Sequence, residues 1–428
     1  MKWAESSAST IGRFESDQDY SSGVFAEINA RLAPTAMAAY SAARKWIEKE
    51  RLDAICVFNG RMDATRGIIE AAQSMGIRYV SMERTWFGDG LQLFPNESCL
   101  GLKSADRMVG DWRDVPLTEA QALRASSHIA SRFLRKNQKE WQAYNTGASA
   151  ASWPNSGSSK VLLLPGSRNE FYGHPDWEDP WAERTAAYDA LIDHLKLKPE
   201  DVVLRCHPNW AVSIGQYDGH HSEEYYRTWS KKRGVKFIPA ADTSSTLDLI
   251  EQADAVVVCG SSAGLEAGVL GKNVIAVGPS NYQTAGFQLD AYGQEQMNKL
   301  KLLDSAHDSD NTSRKTLRFA YSTIYRLAQY VDHVRCISTT KYQYLEGANP
   351  DRFVALCQTG VLVPDDSTSA TSLEGEDSVL NLIQERQWEA LMDRRPSQAE
   401  GRVTEVRRRP AYRFIDSVRR LLPLGHQW

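Results

Sequence analysis

The chain has 428 residues, 42% hydrophobic and 24% charged, the balance of a soluble globular protein with room for two or three domains. A formal net charge of −4 excludes nucleic-acid binding driven by overall charge. The first ten residues lack the apolar core of a signal peptide, and no apolar run approaches the roughly 20 residues of a membrane span. Six cysteines (Cys56, Cys99, Cys206, Cys259, Cys336 and Cys357) without CxxC spacing read as free thiols of a reducing cytoplasm, not as a zinc site.

In chain order, residues 1–20 are polar and are expected to be poorly ordered. Phe25, Ile28, Leu32, Met37 and Tyr40, continued by Trp46 and Ile47, recur near helical spacing and predict a helix over 22–50. A strand over 52–58, the turn Asn59-Gly60-Arg61, a helix over 63–75 ended by Gly76, and a strand over 77–82 make one βαβ unit. Residues 83–96 read as a loop rich in Gly, Trp and Phe, and 116–145 as peripheral helices. The Ser/Gly/Ala/Pro/Asn stretch 148–160 marks a domain boundary.

A second alternating series follows: strands over 161–164, 202–205, 235–238, 255–259 and 274–277, with helices over 181–195, 222–233, 245–252 and from 262. Short apolar strands alternating with helices define a doubly wound α/β domain. Ala255-Val-Val-Val-Cys259 is too short for a free helix and too apolar for an edge strand, so a parallel sheet covered on both faces fits it. Residues 313–345 read as helical and 364–377 as a Ser/Asp/Thr-rich linker. The domains expected are therefore 1–150, 151–365 and 366–428, the last a linker plus a tail.

Ligands of open α/β sheets bind at the carboxyl ends of strands. Those positions carry Gly166-Ser167-Arg168-Asn169-Glu170, then Arg205-Cys206-His207-Pro208, then the loop from Pro239 to Asp242, Thr243, Ser244 and Ser245, and finally Gly260-Ser261-Ser262. Gly turns, hydroxyls, an arginine, a histidine and a helix start suit a phosphate-bearing nucleotide. Each has a plain structural alternative: Ser261 or Ser262 caps a helix, and His207 before Pro208 fixes a turn. Glu266, one helical turn beyond Ser262, is placed to reach a ribose or base. Trp177, Trp181 and Trp210 fall in loops, where aromatic rings line sugar sites or simply pack.

His207-Pro208 followed by Ser261-Ser262 and Glu266, with their flanking strands, resembles the HP and SS motif pair of capsule-polysaccharide-type glycosyltransferases. These include bacterial β-Kdo transferases (Kdo is a carboxylated eight-carbon sugar), and bacterial sialyltransferases of the GT-B fold share the pair. The resemblance is clear over 160–290, weaker over 52–100 and absent from the tail. It implies an α/β, GT-B-like fold: two Rossmann-type domains facing a cleft, the first complete or reduced. It also implies that His207, Ser261 and Ser262 hold the CMP portion of a CMP-activated sugar, with a glycan or lipid-linked acceptor as second substrate.

The reaction expected is transfer with inversion, without metal or cofactor. One carboxylate must then take the acceptor hydroxyl's proton. Asp89 and Glu83, after the second strand, are the candidates, and Glu170, Asp176 and Glu178 are outside choices. An ion pair for Glu83 and a turn for Asp89 are their structural alternatives. Asn59, Arg61 and Arg84 are the expected acceptor contacts.

In the tail, seven arginines from Arg402 to Arg420 interleave with Tyr412, Phe414, Ile415 and Leu421. That pattern fits either an anionic membrane surface, placing the protein at the inner face of the cytoplasmic membrane, or a packing arm. Three rivals stay open: a transferase using a UDP, GDP or CDP donor, an epimerase of GT-B shape, and a catalytically silent glycan-binding assembly subunit.

Overall fold

The computed structural model describes residues 2–140, 145, 147–213, 219–301, 307–338, 341–364, 366–392 and 414. The first part of the chain runs α1 (Glu5–Gly12), α2 (Asp17–Tyr20), α3 (Gly23–Glu50), β1 (Ala54–Phe58), α4 (Asp63–Ser74), β2 (Arg78–Arg84), β3 (Leu91–Pro95), α5 (Lys103–Trp112) and α6 (Glu119–Phe133). The second runs β4 (Val161–Pro165), α7 (Arg184–Leu195), β5 (Val202–Arg205), α8 (His220–Arg233), β6 (Lys236–Ile238), α9 (Thr246–Gln252), β7 (Ala255–Cys259), α10 (Ala263–Val269), β8 (Asn273–Ala276), β9 (Gln288–Asp290) and α11 (Gly293–Met297). The last described elements are α12 (Ser309–Ser322), β10 (Ala328–Gln329), β11 (Val334–Ser338), β12 (Lys341–Tyr344), α13 (Pro350–Thr359) and α14 (Glu374–Gln384).

The larger sheet is parallel throughout, in the order β6-β5-β4-β7-β8-β9. That is the doubly wound arrangement with its switch point between β4 and β7, where the chain leaves the sheet centre in opposite directions. Every residue of β4, β5 and β7 is buried, which is why these segments read as unbroken apolar runs. One face packs Leu191, Tyr226 and Trp229 from α7 and α8. The other packs Leu249, Leu265 and Leu317 together with Ala122, Ala125 and Ile129 of α6 and Val379 and Ile383 of α14.

The smaller sheet has the order β1-β2-β3-β10, with β1 and β2 parallel and β3 and β10 antiparallel. Helices α3 and α4 cover one face. They meet closely at Gly67, where a Cβ would stand 2.3 Å from the Ala36 carbonyl oxygen. Leu356 of α13 packs with Val80 and Leu93 on this sheet.

Five expectations need correction. Residues 2–20 are largely helical, through a short turn before α1, then α1 and α2. Residues 83–96 contain β3, whose register with β2 pairs Met82 with Leu93. Helix α6 is a core element whose buried face is mostly small residues, alanines and serines beside Ile129, which do not stand out in a hydropathy pattern. Residues 313–345 are helical only to Leu327, and β10 to β12 follow. The boundaries at 150 and 365 do not divide the packing: α5 and α6 join the core of the larger sheet, whereas 328–359 returns to the smaller one. Stretch 148–160 is a strap pinned along the second domain, with Ala151 N–H donating to Asp248 at 2.9 Å and Trp153 N–H to Gln252 at 2.9 Å. The basic tail, Phe414 apart, and the membrane contact assigned to it lie outside the described residues. Among the described residues no helix is long and apolar enough to cross a membrane.

The amino-terminal segment wedges between the sheets. An Arg13 guanidinium nitrogen donates to the Asn209 carbonyl at 2.6 Å, and Ser222 donates to the Arg13 carbonyl at 2.8 Å. Glu15, fully buried, accepts from the Tyr226 hydroxyl at 2.8 Å and the Arg168 N–H at 2.9 Å. Burial pushes its carboxyl up to about 7 from an ordinary 4.5, against the pull of Arg184, Tyr226 and Arg168.

A raised carboxyl pKa means that the unfolded chain releases this proton first. The Glu15 contribution to stability is therefore full below pH 4.5, falls as pH rises, and is lost above about 7. The expected slope is about 1.4 kcal/mol per pH unit. Urea denaturation at pH 5 and pH 7.5 should show wild type losing more stability across that interval than Glu15→Gln. Equal losses would show that Glu15 is ionised in the folded protein.

Candidate functional site

The loops after β4, β5, β6 and β7 open on one cavity of about 650 Å³, within the usual range for small-molecule sites. His207, Pro208, Ser261, Ser262 and Glu266 all line it, together with Glu170, Arg205, Asp242, Thr243 and Ser244. The motif residues, about 50 positions apart in sequence, are thus brought together at the switch point, as their order along the strands implies.

The strand-end conformations explain the geometry. Gly260 has φ +65°, a left-handed turn, and a Cβ there would stand 2.9 Å from the Phe171 ring. The Tyr282 hydroxyl donates to the Ser261 carbonyl at 2.8 Å and anchors the turn, and Gly264 leaves room for that ring. Ser261 Oγ accepts from the Ala263 N–H at 3.3 Å, so it makes the local bond of a capping residue. Ser262 makes no side-chain cap bond, and its residue is exposed into the cavity. The capping alternative therefore describes Ser261 and not Ser262.

His207 Nδ1 accepts from the Asn209 N–H at 3.2 Å. Burial holds the imidazole below the usual histidine range, with Glu170 pulling the other way. A neutral ring with Nδ1 accepting carries its proton on Nε2, which makes Nε2 a donor. Arg205 does not face outward as a free anion ligand. It donates to the Pro239 carbonyl, and to the Asp242 carbonyl at 2.8 Å, and so shapes the loop that carries Asp242, Thr243 and Ser244.

Glu266 is buried and pairs with Arg132 of α6, whose Nε also bonds Glu140 at 2.8 Å. The Arg132 guanidinium lies 4.8 Å from the Trp86 ring centroid. Burial raises the Glu266 carboxyl above its ordinary range, and Arg132 opposes the shift. Its Oε2 is buried with no hydrogen-bond partner among the described residues. Arg132, Glu140 and Trp86 were not among the residues expected in the site. Arg132 follows Ala122, Ala125 and Ile129 on one helical face, and a cation on a buried face is the signal that points to it.

Three expected nucleotide contacts fall elsewhere. Gly166 donates its N–H to the Cys259 carbonyl at 3.1 Å, and its missing side chain permits that approach, since a Cβ would stand 2.3 Å from the same oxygen. Ser167 is buried and accepts from Trp210 Nε1 at 2.9 Å. Arg168 turns to the opposite side of its loop and pairs with Asp17 at 2.6 Å.

The two favoured bases are also displaced. Asp89 lines no cavity described here: one oxygen accepts from the Cys336 N–H at 2.8 Å and the other pairs with Lys139 at 2.9 Å. Glu83 accepts from Asn59 Nδ2 at 2.8 Å and from the Arg84 N–H at 2.9 Å, again away from both cavities. Asn59, at φ +64°, shapes the turn after β1, and Arg84 donates to the Lys139 carbonyl at 3.0 Å. Of the expected acceptor contacts, Arg61 lines a second cavity of about 600 Å³ that also takes Trp177 and Glu178. Asp176 accepts from the Leu102 N–H at 3.0 Å. Among the described residues no group of three or more His, Cys, Asp or Glu side chains is placed to hold a metal ion.

The sheet order and the switch-point cavity define a doubly wound α/β ligand-binding protein with a second, smaller sheet across the cleft. Residues 184–317, which include His207, Pro208, Ser261 and Ser262, match the family model described as capsule polysaccharide biosynthesis protein. The chain is similar in structure to two KpsC transferases of Thermosulfurimonas dismutans. For the beta Kdo 2,4 transferase the identity is 18%, covering 78% of this chain and 88% of that one, with a TM-score of 0.41. For the beta Kdo 2,7 transferase the values are 13%, 80%, 88% and 0.39. The UDP-GlcNAc 2-epimerase of Neisseria meningitidis matches at 13% identity over 68% of this chain and 80% of that one, with a TM-score of 0.28. No curated protein matches.

Proposed function

We propose that the protein is an inverting glycosyltransferase of surface-polysaccharide synthesis, using a CMP-activated sugar acid of the Kdo type. The observation that supports this most directly is the shared cavity of His207, Ser261 and Ser262 within the segment that matches the capsule family. As the glycosidic C–O bond breaks, charge grows on the departing phosphate. The Ser262 hydroxyl and His207 Nε2–H are donors for that charge. Thr243, Ser244 and Asp242 offer polar contacts to the nucleoside.

The base is assigned to Glu170. Its residue is exposed, it lines the donor cavity, and the only hydrogen bond to its carboxylate among the described residues is from Asn209 Nδ2 at 3.2 Å. The acceptor hydroxyl gives its proton to Glu170 and attacks the anomeric carbon on the face opposite the phosphate. One C–O bond forms as the other breaks, and CMP leaves.

Differential scanning fluorimetry with CMP, UMP, GMP and CMP-Kdo tests the donor assignment. Cytidine nucleotides are expected to stabilise the fold, by about 2.7 kcal/mol at a hundred times Kd. Ser262→Ala and His207→Ala should each weaken CMP binding by about tenfold, the loss of one hydrogen bond to a charged group. Stabilisation by UDP- or GDP-sugars in place of CMP would replace the donor. Stabilisation by no nucleotide would end the enzymatic reading.

A further inference from the structure

The loops after β4 and β5 carry the groups assigned to the acceptor proton and to the phosphate, Glu170 on the first and His207 on the second. The two loops are fastened to each other twice. Trp210 Nε1 donates to Ser167 Oγ at 2.9 Å, and Asn209 Nδ2 donates to Glu170 at 3.2 Å. Trp210 is buried and stacks on the Tyr226 ring, with centroids 5.1 Å apart. Pro208 fixes the start of the short turn Pro208–Ala211 that carries both side chains.

Asn209 makes three different bonds in this frame. Its backbone N–H donates to His207 Nδ1 at 3.2 Å, its side-chain amide donates to Glu170, and its carbonyl accepts from the Arg13 guanidinium at 2.6 Å. The first leaves the imidazole proton on Nε2, the donor that the departing phosphate needs. On its own, that bond would be an ordinary cap of the turn. The bond to Glu170 adds nothing to the turn, yet it is the only hydrogen bond to that carboxylate among the described residues. A carboxylate only accepts, so the amide has to present its NH2 side. Without that bond an exposed glutamate samples several rotamers, and few of them aim at an acceptor hydroxyl.

Asn209 is buried and is itself held from outside the cavity. Arg13 is fully buried on the amino-terminal segment, whose Lys2, Trp3 and Glu5 line the second cavity, but Arg13 lines neither cavity. Its bond to the Asn209 carbonyl is charge-assisted and stronger than a neutral one. The same segment grips the β4 loop: Thr10 Oγ1 donates to the Asn169 carbonyl at 3.1 Å, and Glu15 accepts from the Arg168 N–H at 2.9 Å. One clamp thus spans both loops.

We propose, on the base assignment made above, that Asn209 is a positioning residue of the transferase. It holds the Glu170 carboxylate and the His207 imidazole in one fixed relation across the donor cavity.

Sugar transfer by Asn209→Ala, Glu170→Gln and the double variant tests it, read as kcat and KM beside the CMP affinity of each protein. Asn209→Ala is expected to lower kcat by about tenfold, the loss of one hydrogen bond to a charged group. KM for the CMP-sugar and CMP affinity should stay at their wild-type values. In the Glu170→Gln background the same substitution should cost little more, because the group it positions no longer takes a proton. If Asn209→Ala loses CMP affinity, Asn209→Asp decides. It keeps the side-chain shape and both backbone bonds, removes the donor to Glu170, and is expected to give the same pattern. Equal losses of kcat with and without Glu170→Gln, an unchanged kcat, or a fall in CMP affinity that matches the fall in turnover in the deciding variant overturns the inference. Full turnover by Glu170→Gln, or none by wild type, would remove the base assignment and this inference with it. Additive losses beside a slow Glu170→Gln remove this inference alone.

Discussion

Glu170→Gln is expected to lower the rate of sugar transfer by about 10²- to 10⁴-fold, the range for removing a general base, while CMP stabilises the variant as it does wild type. The substitution keeps the shape and the capacity to accept from Asn209, and removes only proton affinity. Glu170 stands on the loop after β4 and lines the cavity that also holds His207, Ser261 and Ser262. Asp89→Asn and Glu83→Gln are expected to change the rate far less, because both carboxylates are engaged elsewhere. Rates measured by release of CMP decide the matter. Turnover unchanged in Glu170→Gln would remove the base assignment. Tight CMP binding with no turnover by wild type on any acceptor would favour the silent glycan-binding subunit.

Arg132→Met should destabilise the fold by about 3–5 kcal/mol, the cost of removing one partner from a buried ion pair. Arg132 sits between Glu266 and Glu140, and these side chains are 9%, 8% and 12% exposed. Burial disfavours its charge, yet Glu266 and Glu140 outweigh that and hold it ionised. Without it, two carboxylates face each other in a low-dielectric wall. Adding Glu266→Gln to the variant should recover part of the loss, since one of the stranded charges is then gone. Urea denaturation of the two variants and wild type reads both effects. A loss under about 1 kcal/mol, the scale of an exposed pair, would show that solvent reaches this cluster. Because Arg132 belongs to α6 and Glu266 to α10, the pair also fixes α6 to the cavity wall.

Agreement between sequence and structure follows the range of the forces involved. Strand β7 falls on the residues expected, 255–259, because complete burial on both faces writes itself into five consecutive apolar side chains. His207, Ser261 and Ser262 could be brought to one cavity from sequence because strand order in a doubly wound sheet leaves their loops little choice. Residues 1–20 show the opposite. They are polar, and their burial depends on partners more than 150 positions away, such as Asn209, Ser222 and Tyr226. No local pattern announces such contacts.

Sequence by itself determined the buried strands of a doubly wound parallel sheet and the convergence of His207, Ser261 and Ser262 on one cavity. Tertiary structure alone decided which side of the β4 loop Arg168 and Glu170 face, which carboxylates stay unengaged, and that α6 closes the donor cavity while the amino-terminal segment closes the second. The physical reason is that burial periodicity is a property of neighbouring residues. The state of a charge depends on whichever distant group the folded chain sets beside it.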